Sequence, residues 1–518
     1  MSNPSMPSGS TEERNFDSEL EYTFGYFSFL KPDSLLLTCL LQGIRPPIAI
    51  TDLDRPDHGL TYCELGCGQG VTLNVLATGH EGGRYYGVDY NPAQIANARA
   101  MAEGAGLGNI EFIEESFANL HQRELPDFDF IVLHGIYSWI SPALRQDIVD
   151  FIHRKLKPGG LCFISYNCAI ARGSDHAFRH LLQAGLRREA NPSPEGIAKS
   201  LALADELAVR GARYFNQNAG TKHRLEDAKQ RNATYVFHEY FNPHWAPFFF
   251  HEVAADMAKA DLAFIGSTDM ASNNLDLAIP AALRGAFESM STTADQELLK
   301  GVWANQTFRR DLYFKGTPDR LSLDEQVTAL KGLHFGLSRA RADCTLKVEI
   351  PAGVANLPDK PFTALLDALA KAPVSGQALR SLLPEGQIGD RDFVRALIIL
   401  AGAQYLELYT HPQVITATKP RFDRLNAAIA RAVAKGQDVF YAATAKNRSA
   451  LKLGAIAYFL YRAHQTGPDD RVSKAYRLLK EAGRPVIYKN QPVKDRKMAE
   501  LVIAEHEKNF IQKILPRL

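Results

Sequence analysis

The chain has 518 residues, 46% of them hydrophobic and 23% charged, which is too long for one hydrophobic core and too apolar for a disordered or collagen-like chain. Its 59 Lys and Arg balance 58 Asp and Glu, leaving no global field to draw in nucleic acid or an anionic membrane surface. No apolar run reaches the ~20 residues of a membrane-spanning helix, so no membrane insertion is expected. Six cysteines without a CxxC pair, behind an N-terminus lacking a cleavable apolar signal, point to the cytoplasm.

Residues 1–18 are rich in Ser, Pro, Asn and Glu and read as a flexible leader. Aromatic density then rises at Glu21-Tyr22-Thr23-Phe24-Gly25-Tyr26-Phe27. From Leu60 the pattern is strand, glycine turn, helix, strand: a strand over 61–65, a helix over 71–78, a strand over 85–89 and a helix over 92–105. Strands over 110–113 and 128–133 follow, then a helix over 142–156, a Lys157-Pro158-Gly159-Gly160 turn and a strand over 161–166. That alternation predicts an α/β fold with a doubly wound, mostly parallel sheet. After Arg172 the strands give way to long helical patterns up to about Ala281, including an Ala-rich stretch over 195–210. Three short helical patterns over 363–409, bounded at Pro373 and Pro384 and ending in the strand-like Tyr405-Leu406-Glu407-Leu408-Tyr409, suggest a winged helix, and 451–464 is apolar at helical spacing. The chain is therefore expected to divide into a leader (1–18), a Rossmann-like domain (19–175), a helical middle domain (176–360) and a mostly helical C-terminal domain (361–518).

The sharpest motif is Tyr62-Cys63-Glu64-Leu65-Gly66-Cys67-Gly68-Gln69-Gly70, a strand running into three alternating glycines and a helix. Without Cβ atoms the loop takes left-handed dihedrals and lets a ligand lie against the backbone, beside the positive end of the helix. A dinucleotide fingerprint would space its glycines GxGxxG, whereas here Val71 fills the last place. Glu64 suits a ligand ammonium and not a diphosphate, so a zwitterionic amino-acid moiety fits the loop better. Asp89, in Tyr86-Gly87-Val88-Asp89-Tyr90 at the end of the next strand, can accept both hydroxyls of a ribose. Ser116 and Phe117, after the third strand, lie where an adenine edge would be bonded and covered. Leu133-His134-Gly135-Ile136-Tyr137-Ser138-Trp139 ends the fourth strand, where a ligand of an open α/β sheet binds. His238, Glu239, His244, His251 and Glu252 are metal-ligand types, but no HExxH spacing is present and no metal is expected.

Residues 60–170 resemble class I S-adenosylmethionine-dependent methyltransferases, which implies S-adenosylmethionine as cofactor, held by Glu64, Gly66, Cys67, Gly68, Gly70, Asp89, Tyr90, Ser116, Phe117, His134 and Gly135. A narrower resemblance joins the 21–27 segment, the His134–Trp139 cluster, Tyr166-Asn167, Tyr235-Val236-Phe237-His238-Glu239-Tyr240-Phe241-Asn242 with Trp245 and Phe248, and Arg309-Arg310-Asp311. These look like the bacterial, rickettsial-type protein-lysine methyltransferases with a regulatory domain. That resemblance implies a protein lysine as acceptor, a homodimer, Tyr22 and Tyr26 closing over the cofactor, and a C-terminal domain facing the active site; with charge balanced, that domain is expected to present peptide and not to read nucleic acid. Cys168-Ala169-Ile170-Ala171-Arg172-Gly173 departs from the Pro-Gly-Trp usual after Tyr-Asn in that family. A lysine must lose its proton at a cost of about 4 to 5 kcal/mol at neutral pH. Tyr137 or His134 is expected to hydrogen-bond the amine, and Trp139 to wall it. A small-molecule or glycan acceptor, and an inactive scaffold with the same fold, are the alternatives.

Overall fold

The computed structural model describes residues 24–55, 57–186, 193–231, 233–383, 389–489 and 491–518. The leader expected over 1–18, and Tyr22, lie outside the described residues. The centre is a seven-stranded sheet in the order β3-β2-β1-β4-β5-β7-β6. Its strands are β1 (Thr61–Leu65), β2 (Arg84–Asp89), β3 (Ile110–Glu114), β4 (Phe128–Leu133), β5 (Leu156–Asn167), β6 (Leu262–Ser267) and β7 (Phe308–Lys315). β1 to β5 are parallel, the inner strands β1, β4 and β5 mostly buried as strands covered on both faces must be, and β7 runs antiparallel between β5 and β6. Helices α1 (Pro32–Leu41), α2 (Val71–Gly79) and α3 (Pro92–Ala105) lie on one face, and α4 (Pro142–Lys155) with a later helix, Phe250–Ala258, on the other. Pro at the first position and a side-chain cap start both α3, from Asn91, and α4, from Ser141.

Two sequence expectations need correction. The strands do not stop at Tyr166, because β6 and β7 complete the sheet from within the region expected to be helical. Buried charges hide β7: Arg309 pairs with Asp311 at 3.0 Å and Glu297 at 2.9 Å, and Tyr166 donates to Asp311 at 2.6 Å. Neutralised in pairs, these residues sit in a central strand that their polarity disguises. Lys157-Pro158-Gly159-Gly160 is not a turn before β5 but an irregularity inside it, where the pairing with β4 shifts register and Gly159 takes φ +81°.

Helices Asp175–Leu186, Pro194–Val209, Ala219–Gln230 and Ala233–Phe241 bury Phe178, Leu182, Ile197, Leu225 and Val236 in a core of their own. A further core joins Leu37, Leu40, Leu41, Ala271 and Leu277 to residues from Val327 to Leu408 and crosses the division expected after residue 360. It holds helices Asp359–Lys371, Gly376–Ser381 and Asp390–Gly402 against a three-stranded sheet in which β8 (His334–Leu337) lies between Val374–Ser375 and Leu406–Tyr409. The helices thus follow the winged-helix expectation, but the central strand comes from before the first helix. The last core joins α5 (Pro412–Ala434), the hairpin Tyr441–Thr444 with Ser449–Lys452, and helices Ala455–Gln465, Arg471–Glu481 and Arg496–Asn509 to Val71, Val75, Met101 and Ala105 of α2 and α3. Arg421 donates to Ala77 O at 2.9 Å, Arg424 to Ala105 O at 3.3 Å and Arg431 to Gly104 O at 2.6 Å, so α5 places cations on the negative carboxyl ends of α2 and α3.

Candidate active site

β1 hands over to α2 through Gly66-Cys67-Gly68-Gln69-Gly70, at the point where the strand order reverses. All three glycines are left-handed, with φ of +76°, +52° and +67°. Two of them also lack room, since a Cβ on Gly66 would fall 2.2 Å from Ile136 Cδ1 and one on Gly70 2.5 Å from Ala98 Cβ. The loop is fixed by Gly66 N–H and Cys67 N–H donating to Val88 O, and by Gly68 N–H donating to Asp89 Oδ2 at 3.0 Å. Asp89 Oδ1 accepts from Asn91 N–H at 3.0 Å, and each carboxylate oxygen keeps capacity for a further donor. Tyr90 is 56% exposed at the rim.

Glu64, at the end of β1, is 4% exposed, and its Oε2 meets no hydrogen-bond partner among the described residues. Burial, and then the nearby charge of Asp89, push its carboxyl up to about 8. Burial likewise raises Asp89 above the ordinary carboxylate range. A buried carboxylate without a partner is costly, and a ligand cation would relieve it. Glu115 N–H donates to Asp89 O at 3.0 Å, which brings the end of β3 alongside. There Ser116 is half-buried, Glu115 is held by Arg123 at 2.9 Å, and Phe117 packs half-buried against the core beneath the sheet.

At the end of β4, His134 Nδ1 and Ser165 Oγ lie 2.8 Å apart, and Gly135 N–H donates to the same Ser165 Oγ at 2.9 Å. The imidazole is boxed by Phe27, Phe29 and Phe308, with ring centroids at 4.3, 5.0 and 5.9 Å. Burial, and then the charge of Arg310, lower it to about 4, so it is neutral at neutral pH. Tyr137 departs from expectation. It is 0% exposed, lies in the core beneath the sheet, and donates to Asp256 Oδ2 at 2.6 Å on the helix Phe250–Ala258. Its hydroxyl is thus engaged by a helix packed against the sheet. Trp139 is half-buried, and its ring faces Arg179 at 5.8 Å. Tyr26 is anchored to the C-terminal region: its hydroxyl pairs with Ser449 Oγ at 2.7 Å and its N–H donates to Tyr441 Oη. Phe27 bridges from there to the strand ends, with its N–H donating to Thr72 Oγ1 at 3.1 Å and its ring against His134.

The family model for a methyltransferase domain matches residues 56–207, and that for a predicted methyltransferase regulatory domain matches residues 232–315. The Synechocystis protein sll1526, uncharacterized, is 34% identical over 417 residues, 79% of this chain and 80% of that one. The chain belongs to the S-adenosylmethionine-dependent methyltransferases with a regulatory domain. The Rickettsia prowazekii protein RP028, also uncharacterized, is 27% identical to this methyltransferase over 250 residues, 47% of this chain and 93% of that one. The solved structure of PKMT2 from Rickettsia typhi in complex with AdoHcy shares its fold, with a TM-score of 0.66 at 18% identity over 95% of this chain and 98% of that one.

Sequence reading missed several residues of the methyltransferase that stand beside His134. Phe27 ends the aromatic segment that shared in the resemblance, Phe29 lies just past it and was not singled out, and Ser165 is a lone hydroxyl in an apolar strand, a readable signal. Asp269 gave none, lying just past the unrecognised β6, and Arg310 entered only through the resemblance carried by Arg309-Arg310-Asp311. Phe29, Asp269 and Arg310 line a cavity of about 1100 Å³, to which Glu407, Ser449 and Arg517 also contribute. Of the residues weighed as metal ligands, Glu239 pairs with Arg172, and Glu252 accepts from Phe249 N–H at 2.7 Å. Among the described residues no three such groups come together.

Proposed function

We propose that this methyltransferase modifies lysine side chains of a protein substrate, which enters through the interdomain cavity and presents its amine beside His134 and Phe29. The observation that carries this reading is the cavity itself. At about 1100 Å³ it exceeds the ~300 to 1,000 Å³ of a pocket that encloses a small molecule, and it is walled by segments from both ends of the chain. The fold shared with PKMT2 of Rickettsia typhi over nearly the whole chain supports it.

Glu64 is assigned to the amino group of S-adenosylmethionine, Asp89 to the ribose hydroxyls, the Gly66–Gly70 backbone with Cys67 to the amino-acid moiety, and Tyr90, Ser116, Phe117 and Gly135 to the nucleoside. The unpartnered Oε2 of Glu64 and the spare acceptor capacity of Asp89 fit that ligand. When bound, it supplies the methyl group on a sulfonium. The chain's own work is alignment: Ser165 fixes His134 and Gly135, and Phe27 and Phe29 exclude water from their side of the imidazole. A neutral His134 can accept from the acceptor amine without repelling it. This reading places the enzyme in the cytoplasm as a homodimer, with free, buried cysteines in keeping with a reducing compartment, and sedimentation would report its mass.

Tritiated S-adenosylmethionine incubated with host lysate and the enzyme is expected to label protein bands, with the label recovered as methyl-lysine after hydrolysis. Label confined to extractable small molecules or glycans would reject the protein acceptor in favour of that reading.

A further inference from the structure

The cavity wall next to His134 carries two opposite charges that the catalytic assignment does not use. Asp269 sits in a turn after β6 that the chain locks in place. Ser267 N–H donates to Asn273 Oδ1 and Asn273 Nδ2 to Ser267 O, both at 2.7 Å, while Thr268 N–H donates to Arg310 O at 2.9 Å and Asp269 N–H to Ser267 Oγ at 3.1 Å. Arg310, on β7, stands opposite Ser165 of β5, the residue that holds His134. Its guanidinium lies 4.8 Å from the ring centre of Phe29, which is itself 5.0 Å from the imidazole. Neither side chain forms an ion pair with a described residue, although both are largely shielded from solvent and both line the cavity. Across the ends of four neighbouring strands the order is therefore His134, Ser165, Arg310, Asp269, which makes a polar track from the cavity to the reaction centre.

We infer that Asp269 and Arg310 read the charge of the acceptor: Asp269 receives the incoming ammonium at the cavity wall, and Arg310 admits it to His134 only as the neutral amine. This rests on the protein-lysine reading. A cation approaching a guanidinium is disfavoured relative to the neutral amine, which lowers the acceptor's pKa. The ammonium proton passes to water in the cavity, and the nitrogen keeps its lone pair for the methyl group. The pair thus acts by positioning and selection. From the other elements around it the cavity receives Arg339, Asp343, Glu407, Lys452, His506 and Arg517. Of these, Asp343 is paired with Lys513 at 2.5 Å, and Glu407 accepts from Asn447 at 2.7 Å. His134 is already neutral at neutral pH.

The test uses the full chain, tritiated S-adenosylmethionine and host lysate as acceptor, with initial rates of protein labelling between pH 6.5 and 9.5 at several lysate concentrations. Cofactor affinity and melting temperature of each variant are measured alongside. R310Q is expected to move the acid limb of the profile up by about one unit, a tenfold loss near pH 7.5 that is recovered at pH 9.5, and R310K to restore the wild-type limb. D269N is expected to raise the half-saturating lysate concentration about tenfold with the maximal rate within twofold, and it carries the test whether or not R310Q folds. H506Q should leave the limb in place. Unmoved profiles and saturation in R310Q and D269N, or a parallel fall in cofactor affinity marking a structural role, would overturn the inference. Wild-type label found only in small molecules would overturn the protein-lysine reading, and this inference with it.

Discussion

The crevice at the glycine loop takes Glu64, Gly66, Gly68, Gly70 and Asp89 from one short stretch of chain, whereas the cavity beyond His134 takes Phe29, Asp269, Arg310, Glu407, Ser449 and Arg517 from across the whole of it. The first is a tight loop whose backbone groups are hydrogen-bonded, with one carboxylate oxygen left unpartnered. The second is wide and lined by mixed charges. A site for a constant ligand can be written locally, because the strand, turn and helix that build it are neighbours in sequence. A site for a variable, bulky acceptor is assembled by packing, and changes to it should be felt in acceptor saturation and pH dependence while cofactor affinity stays constant.

The largest effect is expected from G70A. The added methyl meets Ala98 Cβ at 2.5 Å and Phe112 at 2.8 Å in a left-handed residue, so the variant should lose about 2 to 4 kcal/mol of stability and all measurable cofactor binding. Calorimetry and thermal melts would check both. If it binds normally, the loop is not the tight element described.

Next comes E64Q, which should weaken S-adenosylmethionine by about 10- to 100-fold. The ammonium needs the ionised carboxylate, so wild-type affinity should rise with pH up to and through about 8 and that of E64Q should stay flat. The sign for stability runs the other way. The folded state holds the Glu64 proton more tightly than the unfolded one, so without ligand this group's contribution is full below its ordinary 4.5 and is lost as pH rises through about 8. Unliganded E64Q should then melt above wild type at pH 8.5.

Y137F sharpens the contrast from the structural side. It removes the bond to Asp256, which retains Lys259 at 2.7 Å, and should lower stability by about 1 kcal/mol with turnover within twofold of wild type. A large turnover loss would return Tyr137 to the reaction centre. The smallest effect is expected from Q437A. Gln437 Nε2 donates to Asn97 Oδ1 at 2.9 Å, and Asn97 Nδ2 to Gln69 Oε1 at 3.0 Å, a relay from the C-terminal region into the glycine loop. Cutting it should weaken cofactor binding two- to fivefold, as measured by calorimetry.

The same contrast explains what the sequence made legible. β1 through β4 and the helices between them were readable because apolar runs, glycines and caps agree locally, and β1, β4 and α3 fall on the residues expected. β6 and β7 were not, because Leu262–Ser267 is a short apolar run of ambiguous type and β7 carries Arg309, Arg310 and Asp311. At the strand end, residue types alone could not tell that His134 packs against Phe27 and Phe29 while Tyr137 joins the core beneath the sheet. The direction of a side chain after a strand ends depends on partners such as Ser165 and Asp256, which lie far along the chain.

The most direct test is a crystal structure of the full chain with S-adenosylhomocysteine. The predicted result is an amine on Glu64 Oε2, ribose hydroxyls on Asp89, and a sulfur directed at the His134 and Phe29 end of the cavity. A ligand whose sulfur points away from that cavity, or one that leaves Glu64 without a partner, would contradict it.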